Sequence, residues 1–368
     1  MLIKAWGANS HGQLALNLAN EEVEIPSTVD LEKSCWGKVR LIACGGGHSL
    51  LLDDKGNLYS CGWNHKLQTG VNGESHNFQR VWSLSGIKFI NTACGWDFSC
   101  GVTDDRFLFV WGSNSHGQLG LPKEHFPECV KPIRLQVNAC SVSMGLRHTA
   151  IINSKGEVWV TGYGRHGQLG LGKDRTETDR FEKVLKVGAI SHIACGQNHT
   201  IAWSSDEKAL YVWGDNRHGQ LLLNSEKYAK IFEPQKIDID VKQDVIKLLS
   251  GWTNTLLWLA DGKMLTWGRN TYGQLGRRNT CEKLTKVILP DNRQIKDITL
   301  GSEHTICLAT DNTLWGWGWN EHSNTGTGSD DAVFEPTIIP VKLTDKEIIT
   351  KIFAGGGHNF IVIDNKSF

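Results

Sequence analysis

Two short motifs alternate along the chain, and their regular recurrence limits the possible folds more than any other feature of the sequence. The first reads Trp-Gly-x-Asn-x-x-Gly-Gln-Leu in its fullest form, and its seven copies begin at Trp6, Cys61, Trp111, Thr161, Trp213, Trp267 and Trp317. The second reads Gly-x-x-His-Ser/Thr, and its seven copies begin at Gly45, Gly95, Gly145, Gly196, Gly251, Gly301 and Gly355. Successive copies of either motif lie 50 to 55 residues apart, which is the length of one β-propeller blade.

Each repeat unit can be interpreted as four short strands. An apolar stretch leads to the Gly-x-x-His loop, a second apolar strand follows, and a turn such as Asp53-Asp54-Lys55-Gly56 reverses the chain into the strand that ends in Trp-Gly. The polar, variable stretch after Gly-Gln-Leu leads to an outer strand. The 40 glycines and 15 tryptophans fit many tight turns and many aromatic anchors. The sequence therefore predicts an all-β, seven-bladed propeller.

The motifs start and stop out of phase, which predicts how the ring closes. The chain opens with a Trp-Gly motif and ends with a Gly-x-x-His motif, so the first strand (Leu2 to Trp6) has no preceding half-blade. The last half-blade (Ala354 to Ile363) has no return strand. We expect these two pieces to pair, which removes two exposed sheet edges. Residues 1–368 are then one propeller domain.

Composition argues against several classes of function. The chain has 39 basic and 39 acidic residues, whereas proteins that bind nucleic acid directly usually carry a basic excess. No apolar run is long enough to span a membrane, and no secretory signal is recognisable. The ten cysteines include no C-x-x-C pair, so we expect reduced, buried thiols, an intracellular location and no metal. No phosphate-binding loop indicates a nucleotide, and no cofactor is expected.

Comparison among the repeats separates framework residues from variable ones. The motif histidines recur in five blades, at His48, His148, His199, His304 and His358. A residue repeated around a ring cannot belong to one active site, so we expect buried imidazoles that bond neighbouring backbone. The tryptophan of each Trp-Gly is expected in the core. No catalytic residue is predicted.

The two residues between Gly and His differ in almost every blade, and they predict a partner-binding face. The candidate contact residues are Trp96, Asp97, Leu146, Arg147, Gln197, Asn198, Trp252, Thr253, Ser302 and Glu303. Tryptophan and arginine are enriched among interface residues that dominate binding energy. The alternative for Trp96 and Trp252 is that they plug the central channel. The Asn-x-x-Gly-Gln turns are expected on the opposite face.

The repeated Gly-x-x-His-Ser/Thr and Trp-Gly-x-Asn-x-x-Gly-Gln-Leu motifs resemble the repeats of the regulator-of-chromosome-condensation family. Strings such as AWGANSHGQL, SGWTNTL and WGWNEH are similar to a branch described as guanine nucleotide exchange factors in secretion. The resemblance implies a cytoplasmic and nuclear protein whose partner is a Ran- or Rho-type small GTPase or a component of the exocyst. A monomer is expected.

Two functions stay open on the sequence alone. The first is nucleotide exchange on a small GTPase, which needs no covalent chemistry because it rests on differential binding between states. The second is a non-catalytic adaptor that uses the same loops to hold a partner. The nearly even blade lengths show no insertion that could form a projecting hairpin wedge of the kind found in the chromosome regulator, and this favours the second function.

Overall fold

The computed structural model describes residues 1–17, 20–30, 37–278 and 284–366. Within them, 28 strands form seven four-stranded antiparallel sheets, so the seven-bladed all-β propeller predicted from the repeats is confirmed. Blades 1 to 3 comprise β3 Val39–Cys44, β4 His48–Asp53, β5 Leu58–Gly62, β6 Ser75–Arg80; β7 Phe89–Cys94, β8 Phe98–Thr103, β9 Phe107–Ser113, β10 Glu128–Asn138; β11 Ser141–Met144, β12 His148–Ile152, β13 Val158–Tyr163 and β14 Glu177–Lys183.

The remaining blades follow the same order from the channel outward. Blades 4 to 6 comprise β15 His192–Cys195, β16 His199–Ser204, β17 Ala209–Asp215, β18 Lys230–Asp238; β19 Val245–Ser250, β20 Asn254–Leu259, β21 Met264–Gly268, β22 Thr285–Val287; β23 Ile295–Leu300, β24 His304–Ala309, β25 Leu314–Gly318 and β26 Val333–Ile338. Blade 7 combines β27 Glu347–Ala354 and β28 His358–Asn365 with β1 Leu2–Ala8 and β2 Glu22–Thr28. Two single-turn 3-10 helices span Trp82–Leu84 and Pro290–Asn292.

The ring closes through its ends, as the motif order predicts. Strand β1 pairs antiparallel with β28 from Leu2 opposite Ile363 to Gly7 opposite His358, and it pairs with β2 on its other side. Blade 7 therefore takes two strands from each end of the chain. The β1 side chains Ile3 and Trp6 are fully buried, Ile3 against blade 1 and Trp6 against blade 6, so closure also completes the packing on both sides of blade 7.

Apolar packing between adjacent blades forms the core. All six residues of β4 are buried, as are all six of β8, β16, β20 and β24, because a second strand is covered by neighbouring sheets on both faces. The predicted core tryptophans are buried: Trp6, Trp111, Trp213, Trp267 and Trp317 have no exposed surface. Burying such a ring stabilises a fold by about 3–5 kcal/mol, judged from Trp→Ala losses.

Candidate functional site

Both motifs lie at the same end of the channel. In every blade the carbonyl before the Gly-x-x-His histidine accepts a hydrogen bond from the residue after Trp-Gly. Examples are Ser113 N to Asp97 O at 3.0 Å and Tyr163 N to Arg147 O at 2.8 Å. The expectation that the Asn-x-x-Gly-Gln turns occupy the opposite face is therefore wrong. We call this end, made of the seven Gly-x-x-His loops and the seven turns that follow Trp-Gly, the loop face.

Each motif histidine binds the next blade rather than its own backbone. Imidazole Nε2 atoms contact the following partners: His48 with Ser99 Oγ (2.8 Å), His148 with Thr200 Oγ1 (3.0 Å), His199 with Ser250 Oγ (3.0 Å), His304 with Asn359 Oδ1 (2.8 Å) and His358 with Ser49 Oγ (2.8 Å). The predicted backbone partner is therefore wrong, because the imidazole points across the gap between blades. The histidines join the blades into a ring.

The Ser/Thr hydroxyl of the Gly-x-x-His-Ser/Thr motif makes two hydrogen bonds, which determine the tautomer of the histidine. Ser99 Oγ donates to the carbonyl of Gln68 in the preceding turn at 2.7 Å, so the imidazole of His48 must donate to it through Nε2–H. The indole Nε1 of Trp111 donates to the same carbonyl at 2.9 Å. The Gly-Gln turn of one blade is thus held by the Trp and the Ser/Thr of the next.

Burial keeps the motif histidines neutral. It lowers the pKa of His48, His148 and His358 to about 3 and that of His199 and His304 to about 4, since a charged imidazole would lose its hydration. The described residues contain no cluster of three His, Cys, Asp or Glu side chains arranged to hold a metal ion. Burial and the hydrogen bonds to the next blade assign the motif histidines a structural role.

The glycine of Gly-x-x-His is required by the ring three residues later. A Cβ on Gly45 would lie 2.2 Å from Cε1 of His48, and one on Gly301 would lie 2.0 Å from Cε1 of His304. The ring occupies the space of the missing side chain. Glycine and histidine are therefore coupled within one motif, which explains their joint recurrence.

The first variable residue of each pair faces the channel mouth, where backbone bonds link the loops. They run from Gly46 N to Trp96 O (3.0 Å), Leu146 N to Gln197 O (3.4 Å), Gln197 N to Trp252 O (3.1 Å), Trp252 N to Ser302 O (2.6 Å), Ser302 N to Gly355 O (2.9 Å) and Gly356 N to Gly45 O (2.9 Å). These bonds connect most neighbouring blades. The loops therefore form a rigid rim rather than seven independent segments.

Trp96 and Trp252 meet across this rim although their blades are three apart. Their ring centroids lie 5.2 Å apart with planes tilted by 53°, and a Cβ on Gly46 would lie 2.6 Å from the Trp96 ring. Both rings line a cavity of about 120 Å³ in the channel mouth. Both are also partly exposed, so the pair packs in the channel mouth and keeps some accessible surface.

Three of the residues predicted to contact a partner are buried. Thr253, Ser302 and Glu303 are 7 %, 4 % and 6 % exposed, so their expected place on the surface is wrong. The Glu303 carboxylate accepts from Thr253 Oγ1 and from Gln274 Nε2, each at 2.6 Å, and burial raises its pKa. The Ser302 hydroxyl donates to Gly356 O. These side chains link blades 5, 6 and 7 to one another.

The other predicted residues remain accessible. Arg147 is exposed, while Asp97, Leu146, Gln197 and Asn198 are half-buried. Burial raises the pKa of Asp97, and hydrogen bonding to Ser113 and the nearby Arg147 charge oppose that rise. The accessible part of the predicted set therefore lies mainly in blades 2 to 4.

The turns add aromatic residues to the loop face that the sequence comparison missed. Trp63 stacks between His11 (5.2 Å) and His65 (6.1 Å), Tyr163 lies 5.0 Å from His116, and Trp319 lies 5.4 Å from His322, all between ring centroids. Trp63, Tyr163 and Trp319 each follow a Trp-Gly-type glycine and are half-buried. The sequence could have identified these aromatic residues, because the residue after the glycine of Trp-Gly also varies between repeats.

Comparison with known proteins assigns this propeller to a family. The RCC1-like domain model matches residues 3–361, and the chain belongs to that family. The chain is 33 % identical to the mouse secretion-regulating guanine nucleotide exchange factor, with 97 % of this chain and 82 % of that protein aligned. It is 30 % identical to the ultraviolet-B receptor UVR8 of Arabidopsis thaliana, over 86 % of this chain and 72 % of the receptor.

Solved structures show the same fold. Prp20p of Saccharomyces cerevisiae, which has binding properties to Gsp1p and histones, superposes with a TM-score of 0.88 at 23 % identity. The superposition covers 100 % of this chain and 92 % of Prp20p. Human WBSCR16 superposes with a TM-score of 0.85 at 22 % identity, over 100 % of this chain and 99 % of its own. The part of the chain that the structure describes contains no helix that is long and apolar enough to cross a membrane.

Proposed function

We propose that the protein is a guanine nucleotide exchange factor that binds a small GTPase of the Ran or Rho type through its loop face, in the cytoplasm and also in the nucleus. The observation that carries the proposal is the rigid, hydrogen-bonded loop face with accessible Arg147, Trp63 and Tyr163 upon it. Arginine and aromatic side chains are the residue types that dominate binding energy at protein interfaces. The secretion-regulating exchange factor of mouse supports the choice of activity.

Exchange requires only that the propeller bind the nucleotide-free GTPase more tightly than the loaded one. Each tenfold preference corresponds to about 1.4 kcal/mol of differential binding. A preformed surface gives this preference efficiently, because little side-chain or loop entropy is lost when the partner docks. The inter-blade histidine and rim bonds hold the loop face in that preformed state.

An adaptor role in a trafficking complex, with a partner such as an exocyst component, is the second candidate. One observation favours it: all 28 strands of the described residues belong to the seven sheets, so none of them forms an additional hairpin projecting from the loop face. An adaptor would use the same surface and bind its partner regardless of nucleotide. The two roles differ in whether bound GDP leaves faster.

Release of labelled GDP from a panel of Ran- and Rho-type GTPases distinguishes the two functions. We expect this protein to accelerate release from at least one GTPase by about tenfold or more, a change equivalent to at least 1.4 kcal/mol. Arg147→Ala should reduce the acceleration, whereas Lys155→Ala, in the hairpin at the other end of the same blade, should leave it unchanged. Binding without acceleration would identify an adaptor, and neither binding nor acceleration across the panel would refute the proposal.

A further inference from the structure

We propose that four exposed cations on blades 3 and 4 of the loop face, Arg147, Arg165, Arg217 and Lys230, form a docking site for an acidic segment of a partner protein. The inference deepens the proposed function, on which it rests for the use of this face, by naming the chemistry of the segment that docks there. We call these four residues the basic arc. All four are exposed.

Two contacts within blade 3 and one side-chain contact between blades 3 and 4 place members of the basic arc close together. The carbonyl of Arg147 accepts from Tyr163 N at 2.8 Å, and the guanidinium of Arg165 lies 6.0 Å from the Tyr163 ring centroid. Lys230 Nζ donates to the carbonyl of Arg165 at 3.4 Å. Arg147, Arg165 and Lys230 are therefore close neighbours on the loop face, beside Tyr163.

Few carboxylates neutralise this region. Asp215 is buried and paired with Arg217, with 2.6 Å between Oδ2 and Nη2. Among the described residues, no carboxylate lies within 4.0 Å of the cationic nitrogens of Arg147, Arg165 or Lys230. Within the described part of the chain these three cations are therefore free of direct ion pairs, and Asp97 is the carboxylate that acts on Arg147 without pairing with it, in a protein whose formal net charge is zero.

Two neighbouring imidazoles respond to these charges. The pKa of His116 is lowered first by burial and then by Arg147, against an opposing contribution from Glu177. The pKa of His166 is lowered first by burial and then by Lys230, while Asp215 opposes the change. The charges of Arg147 and Lys230 therefore act on the turns of blades 2 and 3, where these two histidines lie.

The opposite side of the loop face has the opposite sign. Exposed carboxylates on and beside the blade 6 turn include Glu321, Asp330 and Asp331. A long polyanion such as nucleic acid would have to cross them or leave the face, and such ligands normally need a broad basic surface. A short acidic stretch of protein fits the basic arc, since guanidinium groups bind carboxylates with strong, charge-assisted hydrogen bonds.

A short fluorescein-labelled peptide of alternating glutamate and serine tests the site by fluorescence anisotropy with the full chain. We expect binding at low salt that weakens as salt is raised, because exposed charges are screened over about 10 Å at 0.1 M. The triple variant Arg147→Ala, Arg165→Ala, Lys230→Ala should bind about tenfold more weakly or worse. The matched control Lys55→Ala, Lys155→Ala, Lys366→Ala removes three exposed charges from the other end and should bind normally.

Melting curves of both triple variants confirm that each is folded. Undetectable peptide binding to the wild type would overturn the proposal, as would equal losses in the two triple variants. A short oligothymidine that binds the basic arc as tightly as the peptide would also overturn it and indicate a nucleic-acid site. The assay contains no GTPase, so its failure and a failure of nucleotide release are separate results.

Discussion

Deleting residues 1–7 should lower the melting temperature by several degrees or more. The deletion removes nearly all of β1 and leaves β28 and β2 with unpaired edges. It also removes the buried Trp6, whose loss alone is expected to cost about 3–5 kcal/mol, and each kcal/mol lowers the melting temperature of a domain this large by roughly 1–2 °C. Thermal unfolding followed by circular dichroism measures the effect.

Two single substitutions distinguish the effect of losing the ring-closing Trp6 from the effect of losing a tryptophan elsewhere. Trp6→Ala should destabilise the protein strongly, because Trp6 has no exposed surface and bonds to Asn324 O at 3.2 Å in the neighbouring blade. Trp319→Ala, on the loop face, should destabilise the protein much less, because Trp319 is only half-buried and contacts Glu321 and His322 within its own turn. A deletion mutant that melts like the full chain would show that the ring does not depend on β1.

The protein should lose much of its stability between pH 7 and pH 5. The five motif histidines have folded pKa values of about 3 to 4, below the unfolded value of about 6.5. The unfolded chain therefore binds more protons, and the stabilising contribution of the neutral imidazoles is lost as the pH falls below 6.5. Each histidine contributes up to about 1.4 kcal/mol per pH unit.

Urea unfolding at a series of pH values measures this dependence. Near pH 5.5, before most carboxylates titrate, the slope of unfolding free energy against pH should correspond to an uptake of roughly five protons. His148→Asn, which introduces the residue that blade 5 carries at the same position, Asn254, should reduce that uptake by about one proton. Equal stability at pH 7 and pH 5 would mean that these imidazoles are not buried as neutral groups.

Periodicity in the sequence was sufficient to predict the fold, because each motif specifies a local structure that repeats. Gly45 and His48 are coupled within four residues, and the closure through β1 follows from the motif order. The end of the propeller at which the Asn-x-x-Gly-Gln turns lie was also predictable from the sequence. Only one hairpin separates Gly-x-x-His from Trp-Gly, so antiparallel pairing must bring both motifs to the same end.

The contacts between blades could not be predicted in this way. Whether Glu303 reaches solvent depends on Thr253 and Gln274 of the preceding blade, which a comparison of aligned repeats does not place beside it. Trp96 and Trp252 meet because long side chains extend across a narrow channel. Single-repeat comparison identified positions that vary, but the ring geometry decided which of them are exposed.

The central claim is that the loop face binds the partner, and affinity measurements on a responsive GTPase test it most directly. Arg147→Ala and Trp63→Ala should each weaken binding by about tenfold or more, since truncating such anchors typically costs over about 2 kcal/mol. Their melting temperatures should stay near that of the wild type. Lys55→Ala and Lys155→Ala, at the other end of the propeller, should bind normally. The claim would be contradicted by normal binding of both loop-face variants or by loss of binding in the lysine variants.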